Sequence, residues 1–467
     1  MAHRDAGGRP TPSMARLCEA VQAAARAAEG GIYLGLGSGG WAWSGAQRCV
    51  LVLGPSRSGK TSSLVIPNVL AAPGAVVSTS TKPEVLGCTA AVRGRRGRVL
   101  LFDPTGTTEP PPGVERVGWS PLCSSTRWDG SLQMARSMVD AADTAGAGRS
   151  TAVFGHWQER AASLLAPLLH AAALEKEAMR TVLHWVDRHD GSAALAILSR
   201  RLGDAAPAVD VLSGILTTDG REQSGIWSTA SGVLSAYRSI GALDATEGRL
   251  FDAEPFCDGP HSLFVCAPGR DQQLVAPLVV GLLSDIRDAA YRRAREGRGA
   301  APVLLALDEL ANIAPIPDLP AMVSEGAGQG LLTLACLQDL SQARARWGRQ
   351  ADALLSLFGT TLVLGGIADV PTLDAVARLA GDHEVPSRTV GRAQGPDGRL
   401  RPSVSVTGVL RPRLPVDVIA RGAPGTALAI DARNRMGWVS LTPAFACSPW
   451  RELSTAPVRA PARGLDR

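Results

Sequence analysis

The chain has 467 residues, of which 45% are hydrophobic and 19% charged, and its formal net charge is +5. This length allows two or three domains around a large core, and the composition fits a soluble globular protein. The mild positive charge permits a polyanionic partner without requiring one.

The sequence does not have the marks of membrane-spanning, secreted or zinc-stabilised proteins. No window reaches the roughly 18–20 apolar residues of a membrane span, and the polar segment 1–12 is not a signal peptide. The eight cysteines are scattered, with no C-x-x-C pair and no Cys/His cluster. We therefore expect a cytoplasmic protein in a reducing setting, without structural zinc.

The first segment, residues 1–45, is predicted to form an N-terminal arm and a β-hairpin. Alanine-rich periodicity over 14–28 is typical of a helix. The run 30–43 is rich in glycine and aromatic residues, and it predicts a hairpin with its turn at 37–40.

A phosphate-binding loop is predicted in the next segment, residues 46–128, which we interpret as the first part of a nucleotide-binding domain. The apolar run 49–53 predicts a buried strand, and 62–70 predicts a helix. The loop between them fits the pattern G-x-x-x-x-G-K-[ST]. We expect it and the first helical residue to bind a nucleotide through Gly54, Pro55, Ser56, Arg57, Ser58, Gly59, Lys60, Thr61 and Ser62. The alternative is a glycine-rich turn that matches by chance.

The residue types in this loop suit a phosphate group. Gly54 and Gly59 let the backbone approach an anion where a Cβ atom would obstruct it, and the start of the helix offers unpaired N–H groups. Lys60 is expected to reach the β- and γ-phosphates of ATP, and the Thr61 hydroxyl to ligate Mg²⁺. Nearly every cation of the chain is an arginine, so a lysine at this point favours the functional interpretation.

Two more strands and an all-helical insertion follow. Segments 74–81 and 99–102 are strand-like, and strands that alternate with helical stretches indicate a parallel sheet. From about 129 the apolar spacing is helical, and no clear strand follows until 262. We predict an all-α inserted domain at 129–249.

The α/β pattern resumes in residues 250–448, the predicted second part of the nucleotide-binding domain. Its expected strands are 262–266, 302–307, 330–336, 360–365 and, closing the sheet, 425–430. The Gly-, Pro- and Arg-rich stretch 388–413 is expected to be a solvent loop or a flexible hairpin. Residues 449–467 are expected to form a flexible tail.

Two carboxylates at the end of a strand are the second candidate part of the site. Asp308 and Glu309 directly follow the apolar run 302–307, an arrangement typical of a Walker B motif. Asp308 would hold Mg²⁺, usually through water, and Glu309 would polarise the attacking water. Adjacent carboxylates repel unless a cation or different surroundings separate their roles. An ordinary strand end capped by acids is the alternative.

Other polar residues at strand ends and in the insertion are weaker candidates. Gln338 follows strand 330–336 and is expected to sense the γ-phosphate, with a polar loop residue as the alternative. Asp103 also follows a strand, where a turn-forming Asp-Pro explains it at least as well. His156 and His170 lie in the insertion and are expected to be packing or surface groups.

Several motifs, in order along the chain, resemble those of type IV secretion coupling proteins, the TraG/TraD-type ATPases of conjugative DNA transfer. The resemblance rests on 307–313 (Leu-Asp-Glu-Leu-Ala-Asn-Ile), on 326–348, and on the loop at 54–61 with the Ile-Pro-Asn at 66–68. It spans about 46–440. It implies an α/β, RecA-like P-loop NTPase with a mostly parallel central sheet and an all-α inserted domain.

The resemblance also implies a function, and with it roles for individual residues. Family members are ATP-driven motors, usually hexameric, with nucleotide bound between subunits. In this chain Lys60, Glu309 and Gln338 would act in catalysis, with ATP and Mg²⁺ as ligands. Thr61 and Asp308 would hold the metal.

Partners and location follow from the same resemblance. Family members recruit DNA, with a relaxase or another secreted protein, to the membrane channel subunits of a type IV secretion system. They usually carry an N-terminal membrane anchor. This chain is expected to be a soluble member without one, either cytoplasmic or held at the inner face of the cell membrane by a partner. Two other functions stay open: an ATP-gated adaptor that binds a partner protein through its helical domain, and a DNA translocase of the FtsK kind.

Overall fold

One large sheet organises the chain. The structure, a computed structural model, describes residues 13–146, 152–201, 203, 205–298, 301–394 and 400–455. Its strands are β1 (Tyr33–Gly37), β2 (Gly40–Trp43), β3 (Val50–Leu53), β4 (Val76–Ser80), β5 (Val99–Phe102), β6 (Glu115–Arg116), β7 (Ser262–Cys266), β8 (Val303–Leu307), β9 (Leu331–Leu337), β10 (Thr360–Leu364), β11 (Asp382–Gln394), β12 (Leu400–Pro412), β13 (Thr426–Asp431) and β14 (Met436–Ser440).

The sheet is parallel through most of its width. Its strand order is β2-β1-β14-β13-β10-β3-β9-β8-β4-β7-β5-β6, and β11 pairs with β12 in a separate ribbon. From β10 to β6 all neighbours are parallel, whereas β10 to β2 are antiparallel. Strands β3, β7, β8, β9 and β10 are buried along their whole length. Their valine and leucine runs are typical of strands covered on both faces, so the predicted mostly parallel α/β fold is confirmed.

Helices cover both faces of this sheet. One face carries α1 (Met14–Ala27), α2 (Ile66–Ala71), α3 (Glu84–Arg93) and α19 (Trp450–Ser454). The other face is covered by the helices of the long insertion and by those that follow it. The latter are α12 (Gln272–Arg295), α13 (Leu310–Ile313), α14 (Leu319–Gly326), α15 (Leu340–Trp347), α16 (Leu354–Leu357) and α17 (Val370–Ala380), and α18 (Val416–Arg421) precedes β13.

The insertion between β6 and β7 is helical in its described parts. It contains α4 (Trp128–Gly146), α5 (Ala152–Leu174), α6 (Met179–Asp187), α7 (Ser192–Ser199), α8 (Ala206–Leu216), α9 (Gly220–Val233), α10 (Ile240–Asp244) and α11 (Ala253–Asp258). A single isolated bridge joins Gly118 to Leu250 where the chain returns to the sheet. Within α5, the buried side chains Leu164, Leu165, Leu168 and Leu169 anchor the insertion in the same core as the sheet.

The antiparallel edge of the sheet is larger than the sequence analysis predicted. The N-terminal hairpin is present, with Gly37 paired to Gly40. The strand expected to close the sheet at 425–430 is β13, but β14 lies beyond it and brings β1 and β2 onto the same sheet. The stretch 388–413 is the ordered ribbon β11–β12 in its described residues.

The expectation of a flexible tail from 449 onward is wrong for its first residues. Trp450 begins α19 and is only 1% exposed. Its ring centroid lies 5.1 Å from that of Tyr33 and 5.4 Å from that of Trp41. Burial of an indole among aromatic rings stabilises this turn against solvent. The remainder of the predicted tail, 456–467, lies outside the described residues.

None of the helices in the described part of the chain combines the length and the hydropathy needed to cross a membrane.

Candidate active site

The loop after β3 is held tightly against the neighbouring strands. The Gly54 N–H donates a 3.1 Å hydrogen bond to the Leu337 carbonyl at the end of β9. A Cβ atom on Gly54 would lie 2.9 Å from the Leu364 Cβ, so only glycine fits there. Arg57 and Gly59 have φ values of 63° and 89°, in the left-handed region. These two residues curl the loop between the strand and the helix that follows.

Lys60 points back into the curl of this loop. Its side chain is buried, with 7% of the residue exposed. The ammonium Nζ donates to the Gly54 carbonyl at 2.5 Å and to the Pro55 carbonyl at 2.9 Å. Carbonyl oxygens satisfy this buried charge without an ion pair, which leaves a cation aimed at the concave side of the loop.

The loop also contains a buried polar atom without a partner. The Ser58 Oγ is buried and makes no hydrogen bond to any described residue. Unpaired buried hydroxyl groups are costly unless a ligand or water completes them. Together with the glycine-only contact at Gly54, this orphaned hydroxyl fits a loop shaped around an anion.

The helix after the loop starts with a π-helical turn over Thr61–Val65 before α2 begins. Turns of this kind are frequent at functional sites. Ser62, also in this turn, is half-buried, and its Oγ donates to the Gly59 carbonyl at 3.3 Å.

Thr61 and Asp308 are in contact at the carboxyl ends of the parallel strands. The Thr61 Oγ1 donates a 2.5 Å hydrogen bond to the Asp308 Oδ2. Asp308 directly follows β8, and only β9 separates β8 from β3 in the sheet. Because these strands are parallel, their carboxyl ends lie at one edge. The structure thus brings together the two sequence motifs predicted to form one site.

Asp308 lies in a nearly water-free position. Burial raises the pKa of its carboxyl group, the Thr61 hydroxyl bond lowers it, the charge of Glu309 raises it and that of Lys60 lowers it. Its backbone carbonyl accepts a 3.0 Å hydrogen bond from the Thr79 Oγ1 on β4. Sequence reasoning missed this Thr79 contact, although a hydroxyl within a fully buried strand was a signal that it needs a partner.

Glu309 is less enclosed than Asp308. It is half-buried and adopts the left-handed backbone conformation, with φ 57° and ψ 43°, at the start of α13. Its Oε2 accepts a 3.3 Å hydrogen bond from the Asn312 Nδ2, a second contact that the sequence analysis did not predict. The turn gives the two neighbouring carboxylates different surroundings, as the repulsion between them requires.

Gln338 follows β9, between the strands that carry Lys60 and Asp308. It is half-buried, and its N–H donates to the Gln342 Oε1 at 3.0 Å. Its position at this strand end places it on the same edge of the sheet as the loop.

Asp103 has a structural role. The Asp103 Oδ1 accepts from the N–H groups of Thr105 and Gly106 at 2.8 and 3.1 Å, so it stabilises a turn. His156 is exposed. His170 is buried, and its Nδ1 lies 2.9 Å from the Ser125 carbonyl.

The chain is similar to proteins of conjugation systems. Residues 15–405 match the family described as "Type IV secretory system Conjugative DNA transfer". Two conjugal transfer proteins TraG of Escherichia coli are each 27% identical, over 333 and 342 residues. Each alignment covers 64% of this chain and 49% of the relative. The chain therefore spans about half the length of these relatives.

Solved structures of a conjugative coupling protein have the same fold. Unbound TrwBdeltaN70 has a TM-score of 0.63 at 19% identity, with 85% of each chain covered. TrwB in complex with the non-hydrolysable ATP analogue ADPNP also has a TM-score of 0.63 at 19% identity, covering 85% of this chain and 86% of that one. At this identity the likeness concerns the fold, and the predicted RecA-like architecture is confirmed by it.

Proposed function

Since the chain belongs to the type IV secretory system conjugative DNA transfer family, we propose that it is an ATP-hydrolysing motor that recruits and drives DNA in conjugative transfer. The observation that carries this proposal is the hydrogen bond between Thr61 and Asp308. It joins the loop that follows β3 to the carboxylates that follow β8, which is the arrangement that ATP hydrolysis needs.

We propose the following roles for the residues around the nucleotide. Gly54, Pro55, Ser56, Arg57, Ser58, Gly59 and Ser62 surround the phosphates, and Lys60 exchanges its two carbonyl partners for phosphate oxygens. Glu309 orients and polarises the attacking water, and Gln338 senses the γ-phosphate. TrwB has been solved with an ATP analogue and with ADP and Mg²⁺, which supports ATP and Mg²⁺ as the ligands here.

The metal would be held by Thr61 directly and by Asp308, usually through water. Mg²⁺ would neutralise the charge that develops on the phosphate oxygens. The fit rests on the donor set, because a hydroxyl and a carboxylate, both oxygen ligands, lie 2.5 Å apart at the mouth of the loop. Burial raises the pKa of the Asp308 carboxyl group, and a cation at this point would favour the ionised form of that group.

The partners and the assembly are part of the proposal. We propose that the substrate is DNA, with a relaxase or another secreted protein attached. Delivery would be to the channel subunits of a type IV secretion system at the inner face of the cell membrane. The helical insertion would recognise the substrate, and a homo-oligomer, a hexamer in the first instance, would enclose nucleotide between subunits. The family match over 15–405 supports this assignment.

The test is ATP hydrolysis by the purified oligomer, with and without single-stranded and double-stranded DNA. The motor predicts turnover that DNA raises. An intact oligomer without hydrolysis under any of these conditions would refute the motor. Slow turnover that DNA leaves unchanged, together with nucleotide-dependent assembly, would favour the ATP-gated adaptor instead.

A further inference from the structure

The ribbon formed by β11 and β12 is separate from the main sheet. Its strands pair antiparallel from Asp382 with Pro412 to Gln394 with Leu400, apart from the main sheet. Residues 386–392 and 404–410 are all exposed. A two-stranded ribbon of this kind is marginally stable alone in water, so a partner surface would stabilise it.

The ribbon carries two carboxylates at its base, Asp382 and Glu384, on the face of Arg388, and beyond them its charge has one sign. Between 385 and 413, every charged residue in the described strands is an arginine. Arg388, Arg392 and Arg411 are exposed and form no ion pair with another described residue. Unpaired guanidinium groups on an extended element fit a polyanion such as a nucleic acid backbone.

The two faces of the ribbon differ in chemistry. Side chains alternate between faces along a strand. Register therefore places Arg388 and Arg392 on one face, together with Val390, Val404 and Val406. These valines are 67%, 48% and 64% exposed. The opposite face carries hydroxyl groups in two directly paired positions, Ser387 with Thr407 and Thr389 with Ser405. Arg411 and Val409 also lie on that opposite face. Its central paired positions carry hydroxyl groups, which suit solvent, whereas Arg388 and Arg392 flank exposed valines, so we assign the ligand to the arginine and valine face.

We propose that the face with Arg388 and Arg392 binds double-stranded DNA. The major groove, about 12 Å wide, admits a two-stranded β-ribbon. Four residues of strand separate the two arginines by about 13 Å, which lets them reach phosphates while the valines between them contact sugars and thymine methyl groups. The inference deepens the proposed function and rests on it, because it adds a DNA contact on the ribbon to the substrate recognition proposed for the helical insertion.

The test measures binding without ATP hydrolysis. The probe is a labelled duplex of about 30 base pairs, roughly three helical turns, and binding is followed by fluorescence anisotropy at several salt concentrations, without nucleotide. The variant Arg388→Gln/Arg392→Gln removes two charges from the ribbon. The matched control Arg16→Gln/Arg26→Gln removes two exposed charges from α1. Arg388→Lys/Arg392→Lys keeps the charges.

The ribbon glutamine variant should bind the duplex about tenfold more weakly or worse near 0.1 M salt. The slope of log K against log salt should fall in magnitude by about two. The control and the lysine variant should bind nearly as the unmodified protein does. Equal affinity of the glutamine variant and the unmodified protein, or an equal loss in the control, would overturn the site.

A protein-docking role for the ribbon gives a different result. In that case sedimentation would show a changed oligomeric state in the glutamine variant, with an unchanged affinity per assembled oligomer, and the DNA site would be rejected. Failure of the motor is separable from failure of the site. A protein that binds the duplex through the ribbon but never hydrolyses ATP keeps the ribbon site and loses the proposed motor. A protein whose ATP hydrolysis is stimulated by DNA, but whose binding of the duplex does not depend on the ribbon arginines, keeps the proposed motor and loses the ribbon site.

Discussion

The hydroxyl of Thr61 lies 2.5 Å from the Oδ2 of Asp308, although 247 residues of chain separate the two. That contact is possible because β3 and β8 are parallel strands separated only by β9, so their carboxyl ends coincide. The same edge receives Lys60, Glu309 and Gln338. One side of the sheet therefore collects the residues of this chain to which we assign the hydrolysis of ATP.

Replacement of Lys60 by alanine should abolish ATP hydrolysis and leave the fold intact. The ammonium contacts only the carbonyls of Gly54 and Pro55, so its loss removes a phosphate contact and no core packing. We expect the rate to fall about 10²-fold or more. Steady-state hydrolysis checks the rate, and circular dichroism checks the fold. Lys176→Ala, at an exposed position, is the control. Retained turnover in Lys60→Ala would contradict the assignment.

Glu309→Gln should separate hydrolysis from nucleotide binding. The amide keeps the shape of the side chain and loses the charge that polarises water, so turnover should fall about 10²-fold or more while ATP still binds. The measurement pairs a hydrolysis assay with the affinity for a fluorescent ATP analogue. Glu325→Gln, exposed on α14, should behave like the unmodified protein. If Glu309→Gln hydrolyses ATP at the normal rate, another residue activates the water.

Arg93 should be among the residues most important for stability. It is fully buried, and burial lowers its pKa to about 9. Its guanidinium donates to the Ser262 hydroxyl at 2.7 Å and to four carbonyls, those of Ala72, Gly74, Pro260 and His261, at 2.7 to 3.0 Å.

Arg93→Met removes all five hydrogen bonds, although the Ala72 carbonyl keeps Arg96 and the His261 carbonyl keeps the Val76 N–H as donors. The loss should reduce the free energy of unfolding by about 3 kcal/mol or more. Arg95→Met, at an exposed neighbouring position, should change it by less than about 0.5 kcal/mol. Urea denaturation measures both. Similar losses in the two variants would mean that the acceptors find other donors.

Asp285 should make stability depend on pH. Its Oδ2 accepts a 2.8 Å hydrogen bond from the Trp119 Nε1, and Ser124 donates to the other oxygen. Burial raises the pKa of Asp285 to about 6. The folded protein therefore holds this proton up to a higher pH than the unfolded chain, whose aspartates titrate near about 3.9.

The stabilising effect of this proton is complete below about pH 4 and is lost as the pH rises through about 6, on the order of 1–2 kcal/mol. Asp285→Asn keeps an acceptor for Trp119 and should lose this pH dependence. Denaturation at about pH 4.5 and about pH 7.5 measures the difference. Asp210→Asn, at an exposed position on α8, is the control and should retain the dependence. An unchanged profile in Asp285→Asn would exclude Asp285 as its source.

The site could be predicted from sequence where each part is local. The loop pattern ending in Lys60 and Thr61 is contiguous, and its spacing is dictated by the need to converge N–H groups on an anion. Asp308 and Glu309 follow a uniformly apolar run, and burial of that run determines where they emerge. Strands β3, β7, β8, β9 and β10 are all such apolar runs, so each of them can be recognised from its own sequence.

The remaining features depend on contacts between distant residues. Strand β14 is half-exposed and contains glycine, and it becomes a strand because it pairs with β13 and touches β1 at Leu36 and Ser440. The left-handed turn at Glu309 has no sequence signature, because a glutamate rarely adopts this backbone conformation. The burial of Trp450 cannot be predicted from its neighbours in sequence, because its aromatic partners lie in the N-terminal hairpin.

The strand order also constrains synthesis of the protein. Strand β7 lies between β4 and β5, and β3 lies between β9 and β10. The strands that are synthesised first therefore pair with strands that are synthesised much later. A nascent chain on the ribosome therefore cannot complete the surroundings of Lys60 until residue 364 has emerged. Until then its first strands expose apolar edges, and such edges favour aggregation or chaperone contact during translation.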